Sequence, residues 1–210
     1  MAKQIVNDDE KNKQVKVQIL QAAKHLFSKK GYDGTTVRQI CEEANVSLAL
    51  VSYHFGGKEN VFYALFEPLR ESFMTSEYDL SDSLGALKEF CKRFILYRHE
   101  EHELINILQQ EIVMNSPRIR MLKDVFLPSW EQLRVILQAC MEQKMINFPS
   151  VDLAIDFIMG TLMYSYHNSF LNRGSLDLTS EEIADYAVNF LLHGLIDSEL
   201  TNRNSSLSKG

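Results

Sequence analysis

Residues Thr36–Lys58 read TVRQICEEANVSLALVSYHFGGK, and this stretch decides how the rest of the chain is read. Thr36 followed by Gln39 has the spacing of a capping box, so a short helix opens there and runs through Ala44. Asn45 and Val46 make a tight connection. Ser47 is the next N-cap, with Val46 and Val51 placed as a hydrophobic staple. The helix it starts runs to about Tyr53, Gly56-Gly57 breaks it, and a further helix begins near Lys58. A helix, a turn of three or four residues and a second helix is the layout of a helix-turn-helix, whose second helix lies in the major groove of DNA.

Upstream, Val15, Ile19, Ala22, Ala23, Leu26 and Phe27 recur at helical spacing, and Gly31 ends that helix. Downstream the pattern stays helical. Leu84, Leu87, Cys91, Phe94 and Ile95 share one face of a helix over Ser81–Arg98, and Leu104, Ile105, Leu108 and Ile112 mark another. Asn115-Ser116-Pro117 stops it and starts the next, with Ser116 as cap, Pro128 inside and an end near Lys144. Pro149-Ser150 opens a helix to about Leu171, and Thr179-x-x-Glu182 is a second capping box, opening a last helix to about Leu200. No convincing strand pattern intervenes. The expectation is an all-α fold of about nine helices. It divides into a flexible arm (1–14), a helix-turn-helix domain (15–63), a helical body (64–200) and a flexible tail (201–210).

Composition agrees. The chain has 210 residues, 45% of them apolar and 24% charged, enough to build a core. It has no run of about 18 apolar residues that would span a membrane. The polar start, Met1–Gln14, does not read as a signal peptide, and Cys41, Cys91 and Cys140 form no CxxC; a reduced, cytoplasmic protein is expected. The net charge of −6 is unevenly placed: residues 11–58 hold eight basic and three acidic side chains, a net of +5, leaving −11 for the remainder. A basic segment on an acidic body suits a polyanionic partner at one end.

Residues Gly31–Ile40 (GYDGTTVRQI) and Val46–Phe55 (VSLALVSYHF), with Lys58-Glu59 following, resemble the DNA-binding domain of TetR/AcrR-family transcriptional regulators. The likeness covers about Ile19–Leu65. It implies a homodimer on a palindromic operator in double-stranded DNA, usually a repressor released by a small effector, with a pocket among the fourth to eighth helices. It departs from the family at Leu48, where many relatives carry a polar residue, and at Ser52, where they often carry tyrosine.

Each candidate has two readings. Thr36 and Ser47 sit at helix N-termini, where they cap, meet a phosphate, or both. By resemblance Tyr53 and His54 contact backbone phosphate; alternatively His54 is structural. Lys58 is a cation poorly placed at a helix N-terminus, which a phosphate within reach would explain; alternatively it is a solvated lysine. Arg38 either reads guanine or meets phosphate or solvent. Leu48, Ala49 and Leu50 can touch thymine methyls but offer no side-chain hydrogen bond, which points to an A·T-rich half-site. The apolar positions of the small domain (Ile19, Ala22, Ala23, Leu26, Phe27, Val37, Ile40, Ala44, Val46, Val51, Phe55) are packing residues. In the body, Phe66, Phe73, Phe94, Tyr97, Met121, Trp130, Met163 and Tyr166 would line an apolar pocket or simply form the core.

The last two helices, about 151–171 and 180–200, are apolar around most of their circumference, and Gly160 and Gly194 would admit a close neighbour. A partner subunit is the expected cover. Pro68 is placed inside the fourth helix, as a hinge or as fixed geometry. His99 and His102, with Glu103 beside them, share a helical face but lack further ligands, so no metal or other cofactor is expected. No nucleophile or phosphate-loop motif argues for an enzyme. The alternatives are a protein of the same fold acting on DNA without a small ligand, as in chromosome organisation or division, and a helical enzyme or scaffold.

Overall fold

The computed structural model describes residues 2–74, 77–164 and 178–195, the side chains at 2–9, 72–74 and 194–195 excepted. Among them are ten α-helices and one 3-10 turn, with no strand: α1 (Ala2–Lys30), α2 (Val37–Ala44), α3 (Leu48–Phe55), α4 (Lys58–Ala64), α5 (Glu67–Met74), the 3-10 turn Leu80–Asp82, α6 (Ser83–Glu100), α7 (His102–Val113), α8 (Ile119–Glu142), α9 (Val151–Tyr164) and α10 (Ser180–Leu195). No helix among these residues is long and apolar enough to cross a membrane.

The chain divides into two compact units. The first holds 1–74 together with 102–126, and the second holds 75–101 with 127–210. In the first, Ile19, Ala23 and Phe27 of α1 pack out of solvent with Ile40 of α2, Val51 of α3 and Val61 and Phe62 of α4. Leu104, Ile105 and Leu108 of α7 are buried in the same unit. Polar tethers fasten α7 to α1: His25 Nδ1 lies 2.9 Å from Glu103 Oε1, and Gln110 donates to the Ser28 carbonyl at 2.9 Å. In the second unit Leu87, Phe90 and Cys91 of α6, Leu133 and Leu137 of α8, Ile158 and Leu162 of α9 and Ala184 and Leu192 of α10 are buried. There the buried Arg98 donates to the Leu162 carbonyl at 2.6 Å.

Several expectations are corrected by local physics. Helix α1 starts at Ala2, so residues 2–14 are helical where the sequence reading places a flexible arm. That stretch lacks Gly and Pro and carries Asp9/Lys13 and Glu10/Lys13 at helix-favouring spacing. The expected fourth helix is two. Pro68 has no N–H for the Ala64 carbonyl and its ring crowds that turn, so α4 stops at Ala64 and Pro68 sits in the first turn of α5 and not in the interior of one long fourth helix. Ser116 is not the cap of α8 and Pro117 is not its first residue: Pro117 and Arg118 form a turn, the helix starts at Ile119, and the Ser116 hydroxyl donates to the buried Glu111. His99 and His102 do not share a helical face: Glu101 breaks the helix at φ −108°, ψ 41°, leaving His99 in α6 and His102 in α7. Pro128 does lie inside α8. The expected ends of the last two helices beyond Tyr164 and Leu195, and the tail 201–210, fall outside the described residues.

Candidate nucleic-acid interface

The local chemistry of α2 and α3 explains their geometry. Thr36, at φ −102° and ψ 154°, accepts from the Gln39 amide at 3.2 Å, while Gln39 Oε1 accepts from the Thr36 amide at 2.9 Å. Both halves of the capping box are formed. Asn45 takes up the left-handed conformation, φ 53°, and the Val46 amide returns to the Cys41 carbonyl at 3.0 Å, which turns the chain after α2. Ser47 then accepts from the Leu50 amide at 3.4 Å and opens α3. Gly56, at φ 76°, closes α3 with its amide on the Ser52 carbonyl at 2.8 Å. A left-handed residue here favours glycine, and the Asn60 side chain ties the same corner by donating to the Phe55 carbonyl at 2.6 Å.

Only Val51 of α3 is fully buried, so the helix presents most of its surface outward. Leu48 is 61% and Tyr53 78% exposed. Ala49 and Ser52 are exposed as well, whereas Leu50 is half-buried and less able to reach a base. Arg38 is exposed on α2. With Glu42, Asn45, Ser47 and Leu48 it lines an open groove of about 480 Å³ between α2 and α3. Thr36 and Ser47 are exposed at the starts of the two helices, where N–H groups lack helical acceptors. Of the expected packing residues, Val37, Val46 and Phe55 are half-buried and the others among them from Ile19 to Val51 are buried.

Two expected phosphate contacts have other engagements. His54 is half-buried against the Tyr53 ring, 5.0 Å between centroids, and its Nε2 is enclosed with no hydrogen-bond partner. Lys58 is not a solvated cation. Its ammonium donates to the carbonyls of Tyr32 at 2.9 Å and Thr35 at 2.8 Å, and stands 3.9 Å from the centroid of the Tyr32 ring. Burial pushes its pKa down, and the nearby Arg118 adds to this against the pull of Asp33. Its place at a helix N-terminus, adverse for a cation, is explained by those carbonyls.

Sequence reasoning missed Arg118, Glu111 and Tyr32, which adjoin this surface in the first unit. No local pattern announces them, because they meet only when α7 and α8 fold onto the loop after α1.

The candidate pocket residues are divided. Phe66 and Met121 lie in the first unit and Phe94, Tyr97, Trp130 and Met163 in the second. Phe66 is fully buried, 5.3 Å from the Phe62 ring and 5.9 Å from Phe126, which makes it a core residue. Met121 is exposed. Phe94 and Met163 are buried; Tyr97 and Trp130 are half-buried. Burial is the first cause raising the Tyr97 hydroxyl pKa. Tyr166 and the side chain of Phe73 lie outside the described residues. Among the described residues no group of three or more His, Cys, Asp or Glu side chains is placed to hold a metal ion.

Residues 19–65 match the family model for bacterial regulatory proteins of the tetR family. The chain is 28% identical over 118 residues to the probable HTH-type transcriptional regulator YttP of Bacillus subtilis, covering 53% of this chain and 57% of that one. It is 34% identical over 97 residues to the HTH-type transcriptional repressor NicS of Pseudomonas putida, covering 44% and 46%. The chain thus spans about half the length of the curated relatives it matches. The fold likeness reaches further. The crystal structure of HlyIIR, a hemolysin II transcriptional regulator, superposes with a TM-score of 0.73 at 28% identity, over 89% of this chain and 99% of that one.

Proposed function

For this member of the TetR family of bacterial regulatory proteins, we propose the role of a homodimeric transcriptional repressor that binds a palindromic operator through α3 and is released by a small apolar effector. The observation that carries the reading is the exposure of Leu48, Ala49, Ser52 and Tyr53 on a short helix capped at both ends, with Arg38 beside it. Such a surface, polar at the helix starts and apolar along the helix, fits phosphate at its edges and thymine methyls at its centre. The basic stretch from Lys11 to Lys58 supplies the electrostatic attraction.

Dimerisation is supported by an apolar face on α9 and α10. Leu153, Phe157 and Tyr164 recur along α9 on its exposed side, and Phe157 is 62% exposed. Tyr186 and Phe190 follow each other by one turn on α10, and Phe190 is 73% exposed. At Gly160 an added Cβ would meet nothing within 4 Å, leaving room for a neighbouring helix. A second copy of the chain presents the same face and covers it symmetrically. Repression is the activity named for NicS, and the apolar side chains Phe94 and Met163 are the ones on which an effector site is proposed in the second unit.

The test is selection of bound duplexes from a random pool by the full chain, with Arg38→Ala/Tyr53→Ala protein as control. Both residues are exposed, so the control folds. A palindromic consensus that the control fails to enrich supports the reading. No enrichment before and after denaturation and refolding to strip a bound effector overturns it.

A further inference from the structure

We propose that Arg118, in the turn between α7 and α8, is a positioning residue for DNA binding, acting through Tyr32 and Asp33 on the loop that starts α2. The proposal rests on the DNA-binding reading above for its functional half, and on the geometry of the first unit for the rest.

The loop Gly31–Thr36 has few anchors of its own. It leaves α1 through Gly31 at φ 71° and ends at the Thr36 cap. Thr35 is buried, with its hydroxyl on the Gly31 carbonyl at 2.9 Å and its amide on the Tyr32 carbonyl at 3.2 Å. Tyr32 is the side chain that fixes the loop to the core: its ring stacks on Phe27 at 5.5 Å and meets the edge of Phe62 at 5.2 Å. The guanidinium of Arg118 lies 4.0 Å from the centroid of that same ring. One of its N–H groups reaches Asp33 Oδ2 at 3.3 Å.

Arg118 is itself held. Its Nε donates to Glu111 Oε2 at 2.9 Å and a terminal nitrogen reaches Glu111 Oε1 at 3.3 Å. Glu111 is buried on α7 and also accepts from the Ser116 hydroxyl, so its charge is matched inside the unit. A planar fork that engages a buried carboxylate, an aromatic face and an exposed aspartate at once is a task for arginine and not for lysine. The consequence is specific. The carbonyls of Tyr32 and Thr35 that receive Lys58 belong to this loop, and the helix presenting Arg38 begins where the loop ends. The position of the α7–α8 turn therefore sets the position of the start of α2.

The test uses the full chain with Arg118→Lys and, as a second variant, Asp33→Asn. Arg118→Ala is avoided because it leaves Glu111 buried and unpaired. The Asp33 side chain is 85% exposed, so the Asp33→Asn protein folds whatever the fate of the lysine variant. The first readout is amide exchange of Thr35 in the free protein, which needs no DNA. Arg118→Lys is expected to speed it about tenfold, the size of a lost cation–π contact, with the amides of Ala23 and Leu26 unchanged. The aspartate variant moves it in the same direction by less. The second readout is affinity for the selected duplex at temperatures where both proteins are folded. It is expected to fall by about tenfold in Arg118→Lys, and the double variant with Tyr32→Leu is expected to be no weaker than the weaker single one. Unchanged Thr35 exchange in both variants overturns the proposal, as does unchanged affinity where the wild-type chain binds. A purely structural role would lower thermal stability and leave the affinity of the folded protein alone. If the wild-type chain selects no duplex, the DNA-binding reading fails, while Thr35 exchange still decides whether Arg118 holds the loop.

Discussion

Lys58 donates to the carbonyl of Thr35 across 2.8 Å, joining the first residue of α4 to the residue just before the cap of α2. With its second bond to the Tyr32 carbonyl, this lysine closes the loop that precedes α2. Hydrogen bonds made by a charged group contribute about 1.5–3 kcal/mol each when partly shielded, and solvent access at this site reduces that figure. Lys58→Met is expected to lower stability by about 1–3 kcal/mol in urea unfolding. A variant as stable as the wild type would show that the two carbonyls are equally well served by water.

The second capping box yields a pH dependence whose sign follows from its geometry. Glu182 Oε2 accepts from the Thr179 amide at 2.8 Å and from its hydroxyl at 2.9 Å. The bond from the backbone N–H, then that from the hydroxyl, hold the Glu182 carboxyl below its ordinary value of 4.5. A folded pKa below the unfolded one gives stability that is present above the unfolded value and lost as pH falls through the folded one. The difference in melting temperature between wild type and Glu182→Gln is therefore expected to shrink as pH is lowered from about 6 to about 3. A constant difference over that range would remove the carboxylate from the account.

Both capping boxes are legible in the sequence because each is a local contract among four residues, Thr36 to Gln39 and Thr179 to Glu182, and needs no distant partner. The split between α4 and α5 is carried by Pro68 in plain view. Its effect on the preceding turn, rather than on its own position, is what a reading as a hinge within a helix overlooks. Lys58 gives a signal too, since a cation at a helix N-terminus calls for a compensating acceptor, but the acceptors are carbonyls over twenty residues earlier in the chain. The inclusion of α7 in the first unit is not legible. Glu103 with His25, Gln110 with Ser28 and Arg118 with Asp33 are long-range pairs of ordinary surface residue types, and periodicity reports which face is apolar but not which helix covers it.

The apolar face of α9 and α10 makes an assembly prediction. Phe157 and Phe190 are exposed, so a charge at either site costs little in an isolated chain but is buried in a symmetric pair. Phe190→Glu is expected to move the protein from dimer to monomer in sedimentation at micromolar concentration, with helix content retained. Burying an unpaired carboxylate costs several kcal/mol, about a thousandfold or more in dimer affinity. A dimer that persists unchanged in both Phe157→Glu and Phe190→Glu would place the interface elsewhere.

Base reading separates Arg38 from Tyr53. Arg38 is exposed on the edge of the groove between α2 and α3, and a fork at that place can meet the O6 and N7 of one guanine or a phosphate. If it reads guanine, Arg38→Ala loses about 1–3 kcal/mol on the selected duplex and almost none on the duplex with that base pair replaced. If it meets phosphate, it weakens both duplexes alike and flattens the salt dependence by about one unit of slope. Tyr53 has an uncharged hydroxyl and no fork, so Tyr53→Ala is expected to weaken all duplexes equally without altering the slope. Leu48 and Ala49 are exposed and have only apolar contact to offer a base, so the remaining positions of each half-site are expected to be A·T-rich. Competition binding with single-base-pair substitutions at two salt concentrations measures all of these together, and G·C-rich half-sites in the selected pool would sink the assignment of Leu48 and Ala49 to thymine methyls.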